Sequence, residues 1–291
     1  MIKIIDTHKQ INSLFENGNF CIDKWEKYIN LIYNNSAHIF KDDIKWYLDN
    51  GLYTYDNDFL PIINAVNKNQ TLEFLHNSFL EVTDNLNKKI IDCFGDEIDA
   101  EIVLYLGLCN AAGWATNING KDVVLLGIEK IIELNWIDVN SMRGLIFHEL
   151  GHIYHKQHGV LQHHFNDSKQ KFLWQLFAEG IAMYFEQILT NDLNFYHQDI
   201  NGWKEWCDNH FLQIVMDFNN DLPTMDKSNQ KYFGDRVNYY EHKDVGYYLG
   251  TKFIHYLMKQ YDLHYIINLS IDNICKLYYE FIKVKTTNRI I

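Results

Sequence analysis

The sequence predicts an α+β fold that is mostly helical, with a small sheet ahead of a long helix that carries the letters HELGH at 148–152. Apolar residues recur three or four positions apart along most of the chain, which is the spacing of amphipathic helices. Two short runs rich in aliphatic and β-branched residues interrupt this pattern and are typical of strands. The 291 residues include only two prolines and no Ser/Gly linker, so the chain can bury a large core without a marked flexible boundary.

Residues 1–97 form the first predicted region, which is helical. Apolar residues at helical spacing predict helices over residues 22–34, 40–48 and 71–94. Gly95 follows the last of these helices and is well suited to end it, because glycine adopts the left-handed conformation that a C-terminal cap needs. The sequence indicates no function for this region.

Residues 98–128 are predicted to form the small sheet, at the start of a second region that extends to residue 291. The runs at 101–106 and 122–126 are short, aliphatic and partly β-branched. Between them lie the turn-forming residues Gly113, Asn117, Asn119 and Gly120. We therefore expect two strands joined by turns, followed by the helix that contains HELGH.

The rest of the second region is predicted to be helical. A short helix is expected over residues 129–134, metal-binding helices over 141–190 and a helical lobe over 200–291. The individual helices predicted after the HELGH helix cover residues 167–190, 203–218, 245–261 and 272–282.

The HELGH segment places two imidazoles and a carboxylate in the arrangement of a hydrolytic metal site. Residues four apart on an α-helix differ by about 40° in direction, so His148 and His152 lie on one face and can bind the same ion. Glu149 follows the first ligand by about 100° of rotation, where its carboxylate can take a proton from a metal-bound water.

The surroundings of HELGH favour a real site over a chance match. With 14 histidines in the chain, a random H-E-x-x-H is expected in roughly a few per cent of such sequences. However, the segment lies in a predicted helix that Asn140 or Ser141 can cap. This helix has an apolar stripe formed by Met142, Leu145, Ile146, Leu150 and Ile153.

Two residues compete for the third protein ligand that a catalytic zinc needs. Glu179 is a charged residue among apolar neighbours on a predicted helix, which is unusual unless the carboxylate binds a cation. His158 fits the metzincin spacing H-E-x-x-H-x-x-G-x-x-H, but His155 stands where that motif has the glycine of a turn. His155 also shares a helical face with His148 and His152, so it could approach the metal itself or contact one of the ligands and support it. Both patterns stay open, with Glu179 favoured.

Four segments resemble the gluzincins, zinc peptidases with H-E-x-x-H on one helix and a glutamate ligand on the next. The segments are HELGH at 148–152, AEGIAMYFE at 178–186, YFGD at 232–235 and GYYLG at 246–250. The chain looks most like an uncharacterised family of predicted zinc-dependent proteases related to the catalytic domain of the alanyl-type aminopeptidases. The resemblance covers about residues 100–270 and implies a zincin-like catalytic core there.

The resemblance implies a role for each matching residue. His148, His152 and Glu179 would bind one Zn²⁺ ion per chain, and Glu149 would act as general base and acid. GYYLG is similar to the Y-x-K-G segment of the aminopeptidases, whose tyrosine stabilises the oxyanion, so Tyr247 would take that role. The G-x-M-E-N segment that binds a free amino terminus is not found ahead of HELGH, so the resemblance implies a peptidase without specifying an aminopeptidase.

The expected activity is hydrolysis of peptide bonds by a metal-activated water, with Glu149 as the general base. In zincins an edge strand beside the metal-binding helix pairs with an extended substrate, and residues 123–126 are the candidate for that strand. One alternative is a catalytically silent protein that binds zinc and serves in binding or regulation on a peptidase scaffold. Another is that HELGH is accidental and only structural.

Composition limits the partners and the compartment. The formal net charge of −12 argues against nucleic acid or an anionic membrane as partner, because both attract clustered Lys and Arg; a peptide or protein substrate fits better. Asp6 interrupts the apolar start too early for a signal peptide, and no apolar run is long enough to span a bilayer, so we expect a cytoplasmic protein. Five scattered cysteines without C-x-x-C spacing predict neither disulfides nor a cysteine zinc site.

Overall fold

The computed structural model describes residues 1–161, 164–234 and 237–287. The fold is α+β and mostly helical, which confirms the predicted class. Contacts divide the chain into two compact units, Met1–Glu149 and Leu150–Ile291. The division falls inside one continuous helix, Val139–His158, which carries HELGH.

Strands occur in the first unit. They are β1 Lys3–Asp6, β2 Phe15–Glu16, β3 Asn19–Phe20, β4 Glu101–Tyr105, β5 Gly113–Ile118 and β6 Lys121–Gly127. Four of them form one sheet in the order β1-β4-β6-β5, in which β4 is parallel to both neighbours and β5 is antiparallel to β6. β4 is entirely buried and β6 is mostly buried. β4 and β6 confirm the two predicted strands.

The predicted edge strand is a central strand. Residues 123–126 lie in β6, which pairs with β4 on one side and β5 on the other, so the expectation that they receive substrate at an edge was wrong. The edge on this side of the sheet is β5, whose Gly113 and Asn117 were expected in turns. β5 and β6 form a hairpin through Asn119 and Gly120, which both have positive φ as a two-residue hairpin turn requires.

β1 brings residues of the predicted first region into the sheet. Lys3 pairs with Glu101 and Asp6 with Leu104, in parallel register across the predicted boundary between residues 97 and 98. The carboxylate of Glu101 is buried and accepts hydrogen bonds from the Lys3 and Lys121 ammonium groups. The opposite charges satisfy a carboxylate that would be costly to bury alone.

The first unit also contains α-helices. They are α1 Ile22–Ile32, α2 Ala37–Asp49, α3 Leu60–Asn64, α4 Thr71–Thr83, α5 Leu86–Phe94 and α6 Ile128–Glu133, followed by α7 Val139–His158. The single helix predicted over residues 71–94 is divided into α4 and α5, because Asn85 adopts a left-handed conformation at φ 54°. Gly95 ends α5 as expected, with its N–H bonded to the carbonyl of Ile91.

The start of α7 differs from the expectation. The helix begins at Val139, and the carboxylate of Asp138 accepts hydrogen bonds from the backbone N–H groups of Asn140 and Ser141 and from the Ser141 hydroxyl. Asp138 therefore caps the helix, and the expected capping by Asn140 or Ser141 was wrong. Asp138 satisfies the first free N–H groups of the helix two or three residues earlier than predicted.

The second unit is helical over its described residues. After the end of α7 it contains α8 Ser168–Thr190, α9 Trp203–Asn209, α10 Phe211–Asp221, α11 Val245–Leu257, α12 Leu263–Ile267 and α13 Ile271–Thr287. The helix predicted over residues 203–218 is divided at His210, which lies between α9 and α10. Within the described part of the chain, no helix combines the length and the apolar character that crossing a bilayer requires.

Two glycines allow α8 and α11 to touch along their backbones. A Cβ placed on Gly180 would lie 2.5 Å from the carbonyl oxygen of Gly250, and one on Gly250 would lie 2.4 Å from the carbonyl oxygen of Leu176. Any side chain at either position would force the helices apart, since contacts this short do not occur between real atoms. Gly180 thus has a packing role next to the candidate ligand Glu179.

Candidate metal centre

The structure brings together the three predicted ligands. His148 and His152 lie on successive turns of α7, and Glu179 lies on α8. Nε2 of His152 is 3.2 Å from Oε2 of Glu179, and one ligand atom from each of the three residues lies within 4.8 Å of the other two. In a tetrahedral zinc site with bonds of about 2.0 to 2.1 Å, the ligand atoms are about 3.3 Å apart. The observed spacing fits such an ion after small side-chain movements.

The donor set also fits zinc chemically. Two imidazole nitrogens and one carboxylate oxygen are a common ligand set for a catalytic zinc, which keeps its fourth position for water. His148 is buried, whereas His152 and Glu179 are half-buried. The site is therefore held inside the fold while two of its ligands still reach solvent.

Gly151, in the middle of HELGH, explains how Glu179 comes so close to His152. A Cβ on Gly151 would lie 2.7 Å from the Cα atom of Ala182 and 3.0 Å from its carbonyl oxygen. α7 and α8 therefore approach each other backbone to backbone at this position. Because Ala182 lies one turn after Glu179 on α8, the same close approach brings the Glu179 carboxylate to the imidazole of His152.

The carboxylate of Glu149 is almost fully buried and lies against β5. The backbone N–H of Ala115 donates a hydrogen bond of 2.8 Å to Oε2 of Glu149. A Cβ on Gly113 would lie 2.7 Å from Oε1 of the same carboxylate. The sheet edge and the proposed base are thus in contact within the first unit, and Gly113 is the residue that leaves room for the carboxylate.

A second carboxylate and a further histidine accompany His148. Glu186 of α8 is fully buried, and its carboxylate accepts hydrogen bonds from Nδ1 of His197 at 2.8 Å and from the His197 backbone N–H at 3.1 Å. One ligand atom from each of His148, Glu186 and His197 lies within 4.8 Å of the others. These three residues therefore form a further group of possible metal-binding side chains that includes His148.

Sequence reasoning assigned no role to Glu186 or His197. Glu186 lies in the segment AEGIAMYFE, and a charged residue among apolar neighbours on a helix is the signal that singled out Glu179. The same argument applied seven positions later would have found Glu186. His197 lies after the end of α8, and no local pattern marks it.

His158 is not part of the predicted metal cluster. α7 continues to His158 and does not turn away after His152, so the separation of six positions places His158 about 9 Å further along the axis and about 240° around it. Its ring centroid lies 4.6 Å from that of Tyr154. The candidate metal groups found among the described residues contain Glu179 and not His158, which favours the gluzincin spacing over the metzincin spacing.

Three other histidines lie near the HELGH segment in the sequence: His155, His163 and His164. His155 is buried, and its ring lies 5.4 Å from Trp174 and 5.8 Å from Phe177. Burial lowers the pKa of His155 to about 4, so its imidazole is neutral at physiological pH. The sequence places His163 and His164 in a polar segment, where a solvated surface position is expected. His164 is exposed, and His163 lies outside the described residues.

Tyr247 lies in the first turn of α11 and is half-buried. Its ring centroid is 6.1 Å from that of Phe233, and its backbone carbonyl accepts a hydrogen bond from the Thr251 hydroxyl. Its role as oxyanion donor stays a prediction. In the YFGD segment, the hydroxyl of the buried Tyr232 donates a hydrogen bond to Asp221, which indicates a structural role. Asp235 of the same segment lies outside the described residues.

Comparison of the chain with protein-family models, with curated proteins and with solved structures finds no match. The interpretation of the site therefore depends on its own geometry and donor chemistry. Both are compatible with a divalent metal ion held by His148, His152 and Glu179.

Proposed function

We propose that the protein is a zinc-dependent peptidase with a gluzincin-type catalytic core. The observation that carries the proposal is the convergence of His148, His152 and Glu179, with Glu149 directly after the first ligand on α7. Two imidazoles and a carboxylate bind zinc in known hydrolases, and the glutamate of H-E-x-x-H is their general base. The substrate class that follows is peptide or protein.

The chemistry divides between the metal and the residues around it. When bound, the zinc ion lowers the pKa of a coordinated water to about 7 and polarises the carbonyl group that is attacked. Glu149 would take a proton from the water as the water oxygen bonds to the carbonyl carbon, and would give that proton to the leaving nitrogen as the C–N bond breaks. The Tyr247 hydroxyl is the proposed donor to the developing oxyanion, a contact typically worth about 3 kcal/mol in the transition state.

The substrate strand is proposed to add to β5. In an antiparallel pair, the N–H and C=O of one residue point to the same side of the strand. The N–H of Ala115 bonds to Glu149 and not to β6, so the carbonyl of Ala115 also faces the free edge of the sheet. An extended peptide can pair with such an edge through its backbone, with little dependence on its side chains.

The first experiment separates metal binding from turnover with Glu149→Gln. The variant should retain the zinc ion held by His148, His152 and Glu179, because Glu149 is not a ligand, and lose turnover by about 10² to 10⁴-fold. Metal content by mass spectrometry and cleavage of a quenched fluorescent peptide library are measured on the same sample. Glu205→Gln, an exposed glutamate on α9, is the matched control and should keep full activity.

Two outcomes would contradict the proposal. Full turnover in Glu149→Gln would remove Glu149 from the mechanism. A wild-type protein that holds one zinc ion at this site and cleaves no member of the library would instead support the catalytically silent alternative.

A further inference from the structure

Two short segments of the first unit bring four possible metal ligands to the end of β1. Asp6 is the last residue of β1, and His8 begins the short 3-10 helix His8–Leu14. Glu73 and His76 lie on α4, three positions apart, so their side chains share one face of the helix. None of these four residues belongs to the zinc site proposed above.

The side chains of these segments are already close. The rings of His8 and His76 are stacked, with centroids 4.0 Å apart and planes inclined by 6°. Nε2 of His8 is 3.6 Å from Oε2 of Glu73, and Nε2 of His76 is 2.7 Å from Oδ2 of Asp6. One ligand atom from each of His8, Glu73 and His76 lies within 4.8 Å of the other two.

The hydrogen bonding of His76 leaves one ring nitrogen, Nδ1, with a lone pair that can bind a metal. A neutral imidazole has one N–H donor and one lone pair, and the bond to the Asp6 carboxylate assigns the proton to Nε2. Nδ1 of His76 is buried and finds no hydrogen-bond partner among the described residues. Asp6 also accepts the backbone N–H of His8 at 2.9 Å, which holds the two histidines in place.

Charge favours a cation at the same place. Two stacked imidazoles repel each other if both are protonated. This repulsion favours neutral rings, which is the form in which histidine binds a metal. The carboxylates of Asp6 and Glu73 add two negative charges beside them, and a divalent ion balances both. Two imidazole nitrogens and the Glu73 carboxylate oxygen suit zinc and its transition-metal neighbours, whereas calcium and magnesium prefer oxygen alone.

We propose that His8, Glu73 and His76, supported by Asp6, form a second binding site for a divalent transition-metal ion such as Zn²⁺. An ion bound there would join the end of β1 to α4. The site is structural in character, because its ligands tie two elements of the same unit together. The proposal does not depend on peptidase activity.

The test is zinc stoichiometry on the untagged full-length chain, stripped of metal and dialysed against micromolar free Zn²⁺. The wild type should bind two ions per chain, while His8→Ala and His76→Ala should each bind one. His38→Ala, an exposed histidine on α2, is the matched control and should bind two. His152→Ala removes the other site and should leave one ion, so failure of either site is recognised separately.

Two further measurements distinguish loss of the metal site from misfolding of the variants. In the His152→Ala background, Zn²⁺ should raise the midpoint of thermal unfolding, and this shift should vanish when His8→Gln is added. Asp6→Asn should weaken binding of the ion by about 10 to 100-fold, the usual effect of removing a carboxylate that orients a histidine ligand. The proposal is overturned if His152→Ala binds no ion, or if His8→Ala and His76→Ala both bind as many ions as the wild type.

Discussion

The two histidine clusters differ in how firmly the fold holds their ligands. In the first cluster, His148, His152 and Glu179, all ligands come from two long helices that touch at Gly151. In the second cluster, His8, Glu73 and His76, the carboxylate belongs to a side chain that is 71% exposed, compared with 15% for Glu179. A buried carboxylate loses little freedom when it binds an ion, whereas an exposed one must first be ordered. From this comparison we predict that zinc binds more tightly at the proposed first site than at the proposed second site.

The largest expected effect is a loss of zinc affinity when the carboxylate of Glu179 or of Glu73 is removed. Glu179→Ala should weaken zinc binding at the first cluster by at least about 100-fold, because it removes a pre-positioned ligand. Glu73→Ala should weaken binding at the second cluster by only about tenfold, since its side chain is mobile before binding. Competition with a chelator of known affinity measures both. Equal losses in the two variants would show that burial does not distinguish the clusters.

A smaller effect is expected from Gly151→Ala, which addresses the rigidity of the first cluster. The added Cβ would meet the backbone of Ala182, so α7 and α8 must move apart at a cost of about 1 to 3 kcal/mol. Zinc affinity at the first cluster should fall while that at the second is unchanged. Urea unfolding and zinc titration give the two readouts.

The control for this variant is Gly120→Ala. Nothing lies within 4 Å of a Cβ at Gly120, but its φ of +83° is strained for alanine. This variant should lose about 1 kcal/mol of stability without any change in zinc affinity. If zinc affinity is also unchanged in Gly151→Ala, the close helix contact does not position the first cluster.

The smallest expected effect is a pH-dependent loss of folding stability that arises from His255, which contacts α8. Nε2 of His255 on α11 lies 2.8 Å from Oε1 of Gln187 on α8, and burial, with Lys252 and Lys259, lowers the pKa of His255 to about 4. Between its unfolded value of 6.5 and 4, the unfolded chain binds more protons, so stability falls as pH falls through this range. At about pH 5.5 the metal-free protein should have lost about 1 kcal/mol from this group.

His255→Gln tests the origin of that loss. The amide keeps a hydrogen-bond donor towards Gln187 but does not titrate, so the decrease in unfolding free energy between about pH 7.5 and about pH 5.5 should be smaller by about 1 kcal/mol. An unchanged pH dependence would exclude His255 as its source.

Helices, strands and residue groups could be predicted where the pattern that marks them lies within a single helix or strand. β4 and β6 follow from aliphatic runs, and α8 begins one residue after its predicted start, with Asp167 as its cap. His148, Glu149 and His152 could be grouped because helix geometry fixes their relation without any knowledge of the tertiary fold.

Features that depend on distant parts of the chain were missed. β1 is four residues long, and its partner β4 lies far along the sequence, so no local period reveals it. The second cluster joins residues from two segments separated by more than sixty positions. β5 is different, because the Asn119-Gly120 pair between two extended runs is a strong hairpin signal that the sequence analysis assigned only to a turn.

The parallel pairing of β1 with β4 has a consequence for biosynthesis. Lys3–Asp6 leave the ribosome about a hundred residues before Glu101–Leu104, the segment that completes their hydrogen bonds. Throughout that interval the early strand has no strand with which to pair in the native register. Parallel pairing over so long a separation is slow, so docking of this segment should be a late event in folding of the nascent chain.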